Sequence, residues 1–460
     1  MKQFPILERT PIYRSLSNVG KRIFQPNGIF YWANRAKTEG DYNATIGSAY
    51  GVENHMITGG RDKLIVYSMP GLQKYLNIEP ERVAAYAPVS GVKAFRDLWE
   101  AWILKKGEMA RNMPYPLIPL HNKITKPQIC NGITNAIFLT SRMFLNSGEC
   151  VVCPNKRWGN YDAVLRYQNG LDLKLFTFFK DQQFNLEGMM EAMESCAQNQ
   201  EKIVVILNFP NNPTGYCPTT LEARHIIDSL VDFCERIQKP VVVLCDDAYE
   251  GFIFKNNVIT NSIFYMLVDR HPLLIPLKLD GTSKEMLMYG GRIACVTLGI
   301  HSSWVKPEEL PAFRAEWENK LQGMIRSTIS NSNHFIQEIL VEYLKDGFIK
   351  LLEDQYKIHS LLQRRYEETI RAFNTYKHPN INMDPGSGGF FVFLNLKGIS
   401  ATTFADHLVL KYKVGVFPNE NVEENINGIR FAFCSVPKEE IEECFKRIFQ
   451  TMNDFIPIST

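Results

Sequence analysis

The chain has 460 residues, of which 45% are hydrophobic, and its 51 Lys and Arg nearly balance its 49 Asp and Glu. This balance argues against a polyanion-binding surface, which needs a basic excess, and against intrinsic disorder, which needs few apolar residues. No apolar run reaches the roughly 18 residues that a membrane helix needs. We therefore expect a globular enzyme of two or three domains that binds neither nucleic acid nor a membrane.

The N-terminal residues 2–22 carry five basic side chains against a single acid, Glu8. This excess is faintly similar to a mitochondrial transit peptide, but Pro5 and Pro11 interrupt a continuous amphipathic helix. We interpret the segment as an arm that packs on the body of the protein or on another subunit. The ten scattered Cys suit a reducing compartment, and we expect a cytoplasmic protein.

Short apolar runs alternate with helical patterns through the middle of the chain. Continuous apolar runs predict strands covered on both faces, and they lie at 150–153, 203–207, 241–245, 273–279 and 293–298. Pro276 interrupts the fourth run, which therefore suits an edge or a bulge. Helical periodicity is found at 134–144, 186–197, 220–237 and 308–321. This alternation predicts an α/β fold with a mainly parallel central sheet.

The C-terminal part of the chain has a different pattern. Residues 333–373 are helical with a break at Gly347, and they are followed by predicted strands and helices at 389–396, 402–412, 429–433 and 438–452. This order indicates a smaller α+β domain. We expect a large domain at 57–350 and a small domain at 351–460, with residues 1–56 forming the N-terminal arm and part of the small domain.

Cys150 and Cys153 form a CxxC pair, which suggests either a zinc or redox site or two small apolar side chains in a buried strand. No second CxxC is present, and the nearest following histidine is His225. The nine His show no HxH or HExxH spacing, so we expect no protein-bound metal. We prefer the interpretation as a buried strand.

The most informative segment lies between Asp280 and Arg292. It follows one predicted strand and precedes another, which places Lys284 in a loop at the edge of the sheet. A lysine in such a loop is usually a solvated charge, but Arg292 beside Gly290 and Gly291 is suited to hold a phosphate closely. Pyridoxal phosphate requires a lysine that forms a Schiff base and an arginine for its phosphate. The segment resembles the lysine motif of the fold-type I pyridoxal-phosphate aminotransferases of class I/II.

That resemblance implies a carboxylate for the pyridine nitrogen of the cofactor, and Asp246 and Asp247 follow the strand predicted at 241–245. Because successive strand side chains face opposite ways, one of the two points at the ring. The family's Asp-x-Ala-Tyr spacing selects Asp246 and leaves Asp247 as a hydrogen-bonding neighbour. It also implies that Tyr249 donates a hydrogen bond to the phenolic oxygen of the cofactor.

Other segments match the family in the same order along the chain. Asn212 begins an Asn-Pro-Thr-Gly sequence, and the family's Asn binds the phenolic oxygen and the substrate carboxylate. Gly132, Ile133 and Thr134 open a predicted helix, whose free backbone amides would hold the phosphate. Trp158 resembles the aromatic residue that stacks on the cofactor ring.

Two departures from the family pattern concern the same cofactor. Tyr161 stands where the family has a histidine that supports the ring-nitrogen aspartate, which puts that support in doubt. Gly281 stands where many relatives have a phosphate-binding serine, and Thr282 or Ser283 is the expected substitute. The chain also has extra residues at about 105–126.

The resemblance implies a shared active site and a substrate carboxylate. Tyr86 lies in a segment similar to the one that delivers a tyrosine to the neighbouring subunit's phosphate, so a homodimer is expected. Arg430 matches the arginine that binds the substrate α-carboxylate. Arg326 resembles the arginine of aspartate aminotransferases that binds the side-chain carboxylate of aspartate or glutamate across the interface. A salt-bridged arginine at a helix start is the alternative.

The function implied by the resemblance is a pyridoxal-phosphate-dependent transfer of an amino group between an L-amino acid and a 2-oxo acid. Lys284 would hold the cofactor and then act as the general base. Two alternatives use the same fold: a lyase or β-decarboxylase, and a non-catalytic regulator. The intact Lys284 argues against the regulator, as does the lack of room before Asn43 for an appended DNA-binding domain.

Overall fold

A computed structural model describes residues 4–24, 28–51 and 65–457 of the chain. The larger sheet has seven strands in the spatial order β1-β7-β6-β5-β4-β2-β3, and β7 is the one antiparallel to its neighbours. Its strands are β1 (Gln128–Cys130), β2 (Cys150–Pro154), β3 (Asp172–Phe176), β4 (Ile203–Leu207), β5 (Val241–Asp246), β6 (Leu274–Gly281) and β7 (Ala294–Leu298). The prediction of an α/β fold with a mainly parallel sheet is confirmed.

Helices cover both faces of this sheet and continue through the C-terminal region. The longer helices are α1 (Ile29–Glu39), α2 (Lys93–Met109), α3 (Gly132–Phe144), α4 (Leu186–Ala197), α5 (Thr220–Ile237), α6 (Leu310–Thr328), α7 (His334–Leu344), α8 (Ile349–Thr375), α9 (Ala401–Tyr412) and α10 (Lys438–Phe455). Short helical segments lie at Leu7–Arg9, Pro11–Ser15, Asn18–Arg22, Leu72–Tyr75, Pro80–Val83, Asp162–Gln168, Phe264–Leu267, Thr282–Glu285 and Phe433–Ser435. Within the described ranges, every helix is too short or too polar to cross a membrane.

The central strands are apolar throughout because both of their faces are buried. In β5, Val243 packs into the core on one face of the sheet, while Val242 and Leu244 pack into the core on the other face. This two-sided burial explains why their apolar residues are continuous rather than alternating. In β2 the same alternation separates Cys150 from Cys153, whose thiol lies in the second of these cores. The buried-strand interpretation of this pair is confirmed.

The expectation that Pro276 marks an edge or a bulge is wrong, because β6 is an interior strand between β5 and β7. Pro276 pairs with Val243 of β5, and its carbonyl oxygen accepts a hydrogen bond of 2.9 Å from the Gly299 amide. The Pro276 nitrogen faces the same side of β6 as this oxygen, toward β7. The ladder between β6 and β7 ends at the pair Leu277–Leu298, so Pro276 lies just outside it. A proline is tolerated there because no ladder hydrogen bond requires its missing N–H.

A smaller antiparallel sheet lies in the C-terminal region, with the order β8-β9-β11-β10. Its strands are β8 (Ile381–Met383), β9 (Val392–Leu396), β10 (Phe417–Asn421) and β11 (Ile426–Phe431). Short strand pairs also join Tyr42–Asn43 to Val414–Gly415, Tyr50–Gly51 to Ile65–Val66, and Phe179–Lys180 to Gln183–Phe184. Trp32 of α1 and Ala44 share one core with Phe404 of α9 and Phe445 of α10. The expected domain boundary at 56/57 lies outside the described residues.

The described part of the N-terminal arm contacts the body of the protein. The Arg22 side chain donates a hydrogen bond of 2.7 Å from Nε to the Tyr167 carbonyl oxygen. The ring centroids of Phe24 and Tyr167 lie 5.8 Å apart. Packing on the body, the first of the two interpretations for this arm, is therefore what the structure shows.

Candidate active site

The site forms where β5 and β6 reach their carboxyl ends, and Asp246 is the last residue of β5. Asp246 is buried, with 3% of its surface exposed, and its carboxylate accepts hydrogen bonds from the Tyr161 hydroxyl and, at 3.2 Å, from the Ala248 amide. Asn208 donates a hydrogen bond of 2.8 Å to the Asp246 carbonyl oxygen. Burial raises the pKa of Asp246 above its usual value, and the Tyr161 hydroxyl acts in the opposite direction. Each of the two carboxylate oxygens thus accepts one hydrogen bond, which fixes the orientation of the group.

Tyr161 removes the doubt raised by the missing histidine. Its ring is almost fully buried, and its hydroxyl donates to the Asp246 carboxylate over 2.5 Å. The Trp158 ring lies beside it, with centroids 5.7 Å apart and an interplanar angle of 81°. A phenol can orient a carboxylate as an imidazole does, because both donate one hydrogen bond from a rigid ring. Trp158, half-buried, therefore stands next to the group that supports Asp246.

Lys284 follows β6 in the short helix Thr282–Glu285. Its Nζ lies 5.9 Å from the ring centroids of both Tyr249 and Tyr289. Burial, and after it the Arg292 guanidinium, lowers the pKa of Lys284 to about 8, and the Asp246 carboxylate opposes this shift. A lysine with such a pKa holds a substantial neutral fraction near neutral pH, as a nucleophile or general base requires.

An anion cradle adjoins Lys284 at the start of α3. Gly132 has φ +76°, and a Cβ there would lie 2.1 Å from Arg292 Nη2, so a side chain would displace the guanidinium. The Asn131 side chain does not cap this helix, which leaves the amides of the first turn, from Gly132 to Thr134, available to an anion. Arg292 Nη1 also lies 3.4 Å from the Ser283 hydroxyl. Helix amides, a hydroxyl and a guanidinium together fit a phosphate group.

Gly281 has a packing reason for its departure from the family pattern. A Cβ at this position would lie 2.6 Å from the Ile293 carbonyl oxygen and 2.7 Å from the Ala294 Cα, in the antiparallel partner strand. A serine there would push β7 away from β6. The Thr282 hydroxyl lies 3.5 Å from the same Ile293 oxygen, so Ser283 is the hydroxyl that faces Arg292.

Arg430, on β11, brings the smaller sheet to the same site. Its Nη1 donates a hydrogen bond of 2.9 Å to the Asn212 side-chain oxygen. Its Nη2 donates a hydrogen bond of 2.7 Å to the Thr45 carbonyl oxygen. Its guanidinium carbon lies 4.0 Å from the Phe391 ring centroid, and its buried Nε has no hydrogen-bond partner among the described residues. No carboxylate in the described ranges lies within 4.0 Å of it. A buried arginine without an acidic partner is suited to bind an anionic ligand.

Burial also changes the acidity of the groups around Asn212. Burial lowers the pKa of Arg430 to about 10. Burial raises the pKa of Tyr249, and Arg430 acts in the opposite direction. Tyr249 therefore stays protonated at neutral pH, able to donate a hydrogen bond into the site.

Two predicted site residues, Tyr86 and Arg326, do not reach the interior of the single chain. Tyr86 is 90% exposed and, with Arg292 and His334, lines a cavity of about 370 Å³ that opens to the surface. Arg326 is exposed in the last turn of α6, where it donates to the Ser330 hydroxyl. The alternative of a salt-bridged arginine at a helix start is wrong, because α6 extends to Thr328 and no acid among the described residues pairs with Arg326.

Sequence reasoning missed the residues on the opposite face of the sheet from Asp246. Asp247 does not serve as a hydrogen-bonding neighbour of Asp246: its carboxylate pairs with the Lys278 ammonium at 2.6 Å. Lys278 and Lys106 both lie buried among carboxylates. The signal for Lys278 was a charged residue inside an apolar run, a position that is costly without a partner.

The chain is similar to known proteins in sequence and in fold. The family model Aminotransferase class I and II matches residues 79–448. A probable aspartate/prephenate aminotransferase from Aquifex aeolicus is 22% identical over 338 residues, which are 72% of this chain and 75% of that protein.

Solved structures show the same fold. An aminotransferase from Anaerococcus prevotii superimposes with a TM-score of 0.79 at 22% identity, covering 95% of this chain and 99% of that one. A kynurenine aminotransferase from Pyrococcus horikoshii, solved with PMP, gives a TM-score of 0.73 at 17% identity, covering 97% of this chain and 98% of that one.

The lowered pKa of Lys284 predicts an unusual pH dependence of its reactivity. In cofactor-free protein labelled with trace acetic anhydride, the labelling rate of Lys284 should rise with pH and reach half its maximum near pH 8, because the neutral amine reacts. Mass spectrometry of the labelled peptide measures this rate. Free Nα-acetyl-lysine, whose side-chain amine is unmodified, is the control in the same solution, and its labelling rate should reach half its maximum at about pH 10.4. A midpoint for Lys284 equal to that of the control would contradict the site geometry.

Proposed function

The chain belongs to the aminotransferase class I and II family, and we propose that it moves an amino group between L-aspartate or L-glutamate and a 2-oxo acid, with 2-oxoglutarate as the acceptor from aspartate. Its cofactor is pyridoxal phosphate, the cofactor of this family. The observation that carries the proposal is the convergence of a buried carboxylate, a lysine of lowered pKa and a buried arginine that has no acidic partner among the described residues. Asp246, Lys284 and Arg430 supply these groups.

When bound, the cofactor supplies a ring that accepts the electron pair of the substrate Cα–H bond. Asp246, held by Tyr161, keeps a proton at the ring nitrogen. Tyr249 and Asn212 present hydrogen-bonding groups from the adjoining loops. The neutral amine of Lys284 would act as the general base that takes the proton from the substrate Cα and holds it for return.

The phosphate and the substrate carboxylate occupy separate cationic positions in this proposal. Arg292, Ser283 and the α3 amides at Gly132, Ile133 and Thr134 hold the phosphate. Arg430 binds the α-carboxylate, replacing part of its contact with Asn212. Trp158 stacks on the cofactor ring, supported by its place beside Tyr161.

We further propose a homodimer with shared active sites. Tyr86 exposes 90% of its surface, which is unusual for a large aromatic residue and suits a side chain that reaches a partner subunit's phosphate. Arg326, exposed on α6, then binds the side-chain carboxylate of the substrate across the interface. The aspartate specificity in the name of the Aquifex relative supports this assignment.

The remaining proposals concern organisation and location. We propose that residues 57–350 form the large cofactor-binding domain and 351–460 the small domain, with 1–56 as the arm and part of the small domain. The two separate sheets, whose strands lie before residue 300 and after residue 380, support this division. The ten cysteines are all free thiols, which supports a cytoplasmic location.

Lys284→Ala should abolish both the covalent attachment of the cofactor and turnover. We expect kcat to fall at least about 10³-fold, because the variant loses the general base as well as the attachment. Absorption spectra and aminotransferase assays measure the two effects, and Lys306→Ala, which removes an exposed lysine, is the control. Turnover that survives in Lys284→Ala would refute the proposed chemistry.

Arg326→Met should discriminate between amino donors. We expect kcat/KM for aspartate and glutamate to fall about 100-fold, because a charge-assisted contact of about 3 kcal/mol is lost, with little change for alanine. Steady-state kinetics with the three donors measures this ratio, and Arg371→Met, at an exposed ion pair on α8, is the control. An equal loss for all three donors would show that Arg326 does not bind the side-chain carboxylate.

A further inference from the structure

A set of six charged side chains is buried beneath the carboxyl ends of β5 and β6. We name it the buried ion cluster, and its members are Lys106, Asp247, Glu250, Lys278, Asp280 and Glu285. Each is at most 6% exposed. Charged residues this deeply buried are rare in proteins, so their retention needs a reason.

Lys106, on α2, joins three separate segments of the chain. Its Nζ lies 2.7 Å from the Glu250 carboxylate, 3.3 Å from Asp280 and 3.2 Å from Glu285. These three carboxylates are close enough together to hold a metal ion, but the Lys106 ammonium already lies among them as their shared cation. The loop after β5, the end of β6 and the helix that follows it are thereby tied to one point.

Lys278 and two tryptophans complete the cluster. The Lys278 ammonium lies 2.6 Å from the Asp247 carboxylate and 2.7 Å from the Glu250 carboxylate. Trp99 donates its indole N–H to Asp280 at 3.1 Å, and Trp102 donates to Glu285 at 2.6 Å. Glu250, Asp280 and Glu285 are each held by two partners, so the position of each is set from more than one direction.

The sequence connects this cluster directly to the active site. Three residues that the proposed function places against the cofactor are each followed by an acid of the cluster. The three pairs are Asp246–Asp247, Tyr249–Glu250 and Lys284–Glu285. A shift of any of these acids moves the backbone of the site residue that precedes it.

The pleat of the sheet explains how two consecutive residues can lie in the active site and in the buried ion cluster, respectively. Asp246 faces Tyr161 on one side of β5, and Asp247 faces Lys278 on the other. The Asp247 amide also donates a hydrogen bond of 3.0 Å to the Leu279 carbonyl oxygen, which continues the ladder between β5 and β6. The alternation of side chains along a strand thus places the chemistry above the sheet and its support below.

The charges of the cluster do not balance. Four carboxylates face two ammonium groups. Burial, and after it the neighbouring Glu250 carboxylate, raises the pKa of Asp247 to about 7, while the Lys278 ammonium opposes this shift. Burial raises the pKa of Glu285 as well. Neighbouring carboxylates hold the pKa of both lysines well above its usual value against the effect of burial, so both stay charged. Loss of either lysine leaves buried acids without a cation, and they must move or take up protons.

We propose that Lys106 and Lys278 are positioning residues for amino transfer: they hold the acids of the buried ion cluster, and through them the cofactor-facing residues. This inference rests on the proposed function and adds to it a set of residues that touch neither cofactor nor substrate. The geometry that carries it is the direct succession, in three places, of a site residue and a cluster acid.

Lys106→Met in the cofactor-loaded protein tests the proposal. We expect kcat to fall about 100-fold, as misplaced reacting groups cause, while KM changes less than about threefold. The pH midpoint of the absorption band of lysine-bound cofactor should also move, because Lys284 no longer holds its place. Lys105→Met, one residue earlier on α2 at an exposed ion pair, should change neither quantity.

A rescue variant separates positioning from general stability. Glu285→Gln keeps an oxygen acceptor for the Trp102 indole and removes one negative charge, so the double variant Lys106→Met with Glu285→Gln restores the original charge excess. We expect kcat of the double variant to be at least about tenfold higher than that of Lys106→Met. The band midpoint should also return toward that of the unchanged protein. Failure of the double variant to recover either quantity would overturn the proposal.

The spectroscopic measurement does not depend on knowing the amino donor, so its failure differs from failure of the proposed function. A folded Lys106→Met protein with a lower melting temperature but unchanged kcat and band midpoint would overturn the proposal. If Lys106→Met does not fold, Glu285→Gln alone is measured. It should move the band midpoint, and an unmoved midpoint with unchanged kcat would overturn the proposal.

Discussion

Successive residues of a β-strand must present their side chains to opposite faces of the sheet, and the rest of this site depends on that constraint. At the end of β5 it turns Asp246 toward Tyr161 and Asp247 toward Lys278. The neighbouring strand β6 carries Lys284 to the same edge of the sheet. A single sheet edge therefore supplies a group for chemistry on one side and an anchored neighbour on the other.

The formal charge of +2 conceals two opposite local charges. Around the proposed cofactor position stand Lys284, Arg292 and Arg430, which suit one phosphate and one carboxylate. Beneath the sheet, four carboxylates exceed two ammonium groups. Breaking a buried ion pair commonly costs about 3–5 kcal/mol, while replacing a whole pair by apolar residues is often neutral. Stability alone is therefore a weak reason to keep the buried ion cluster, and precise placement of the site is a stronger one.

Much of the fold followed from local patterns in the sequence. The strands β2, β4, β5 and β7 were predictable because continuous apolar runs report burial on both faces. Asp246, Lys284, Arg292 and Arg430 were found because each belongs to a motif, and the structure brings them to one edge of the sheet. The short edge strands β1 and β3 and the helix α2 carried weaker signals and were missed.

What the sequence could not reveal depends on partners far along the chain. Lys106 had no local signal, because its three carboxylates come from residues 144 to 179 positions away. Tyr161 could be recognised as a substitute for histidine once its hydroxyl was seen on Asp246. The absence of a serine at Gly281 became understandable from the Ile293 oxygen that would meet its Cβ. Pro276 was misjudged because the position where β7 ends cannot be inferred from β6 alone.

This site transfers an amino group and therefore needs an acceptor to turn over. The most direct measurement mixes cofactor-loaded protein with L-aspartate alone and quantifies the products. We expect one equivalent of the 2-oxo acid per subunit, with repeated turnover once 2-oxoglutarate is added. Sustained formation of alanine or pyruvate without an acceptor would contradict it, because a β-decarboxylase or lyase needs none.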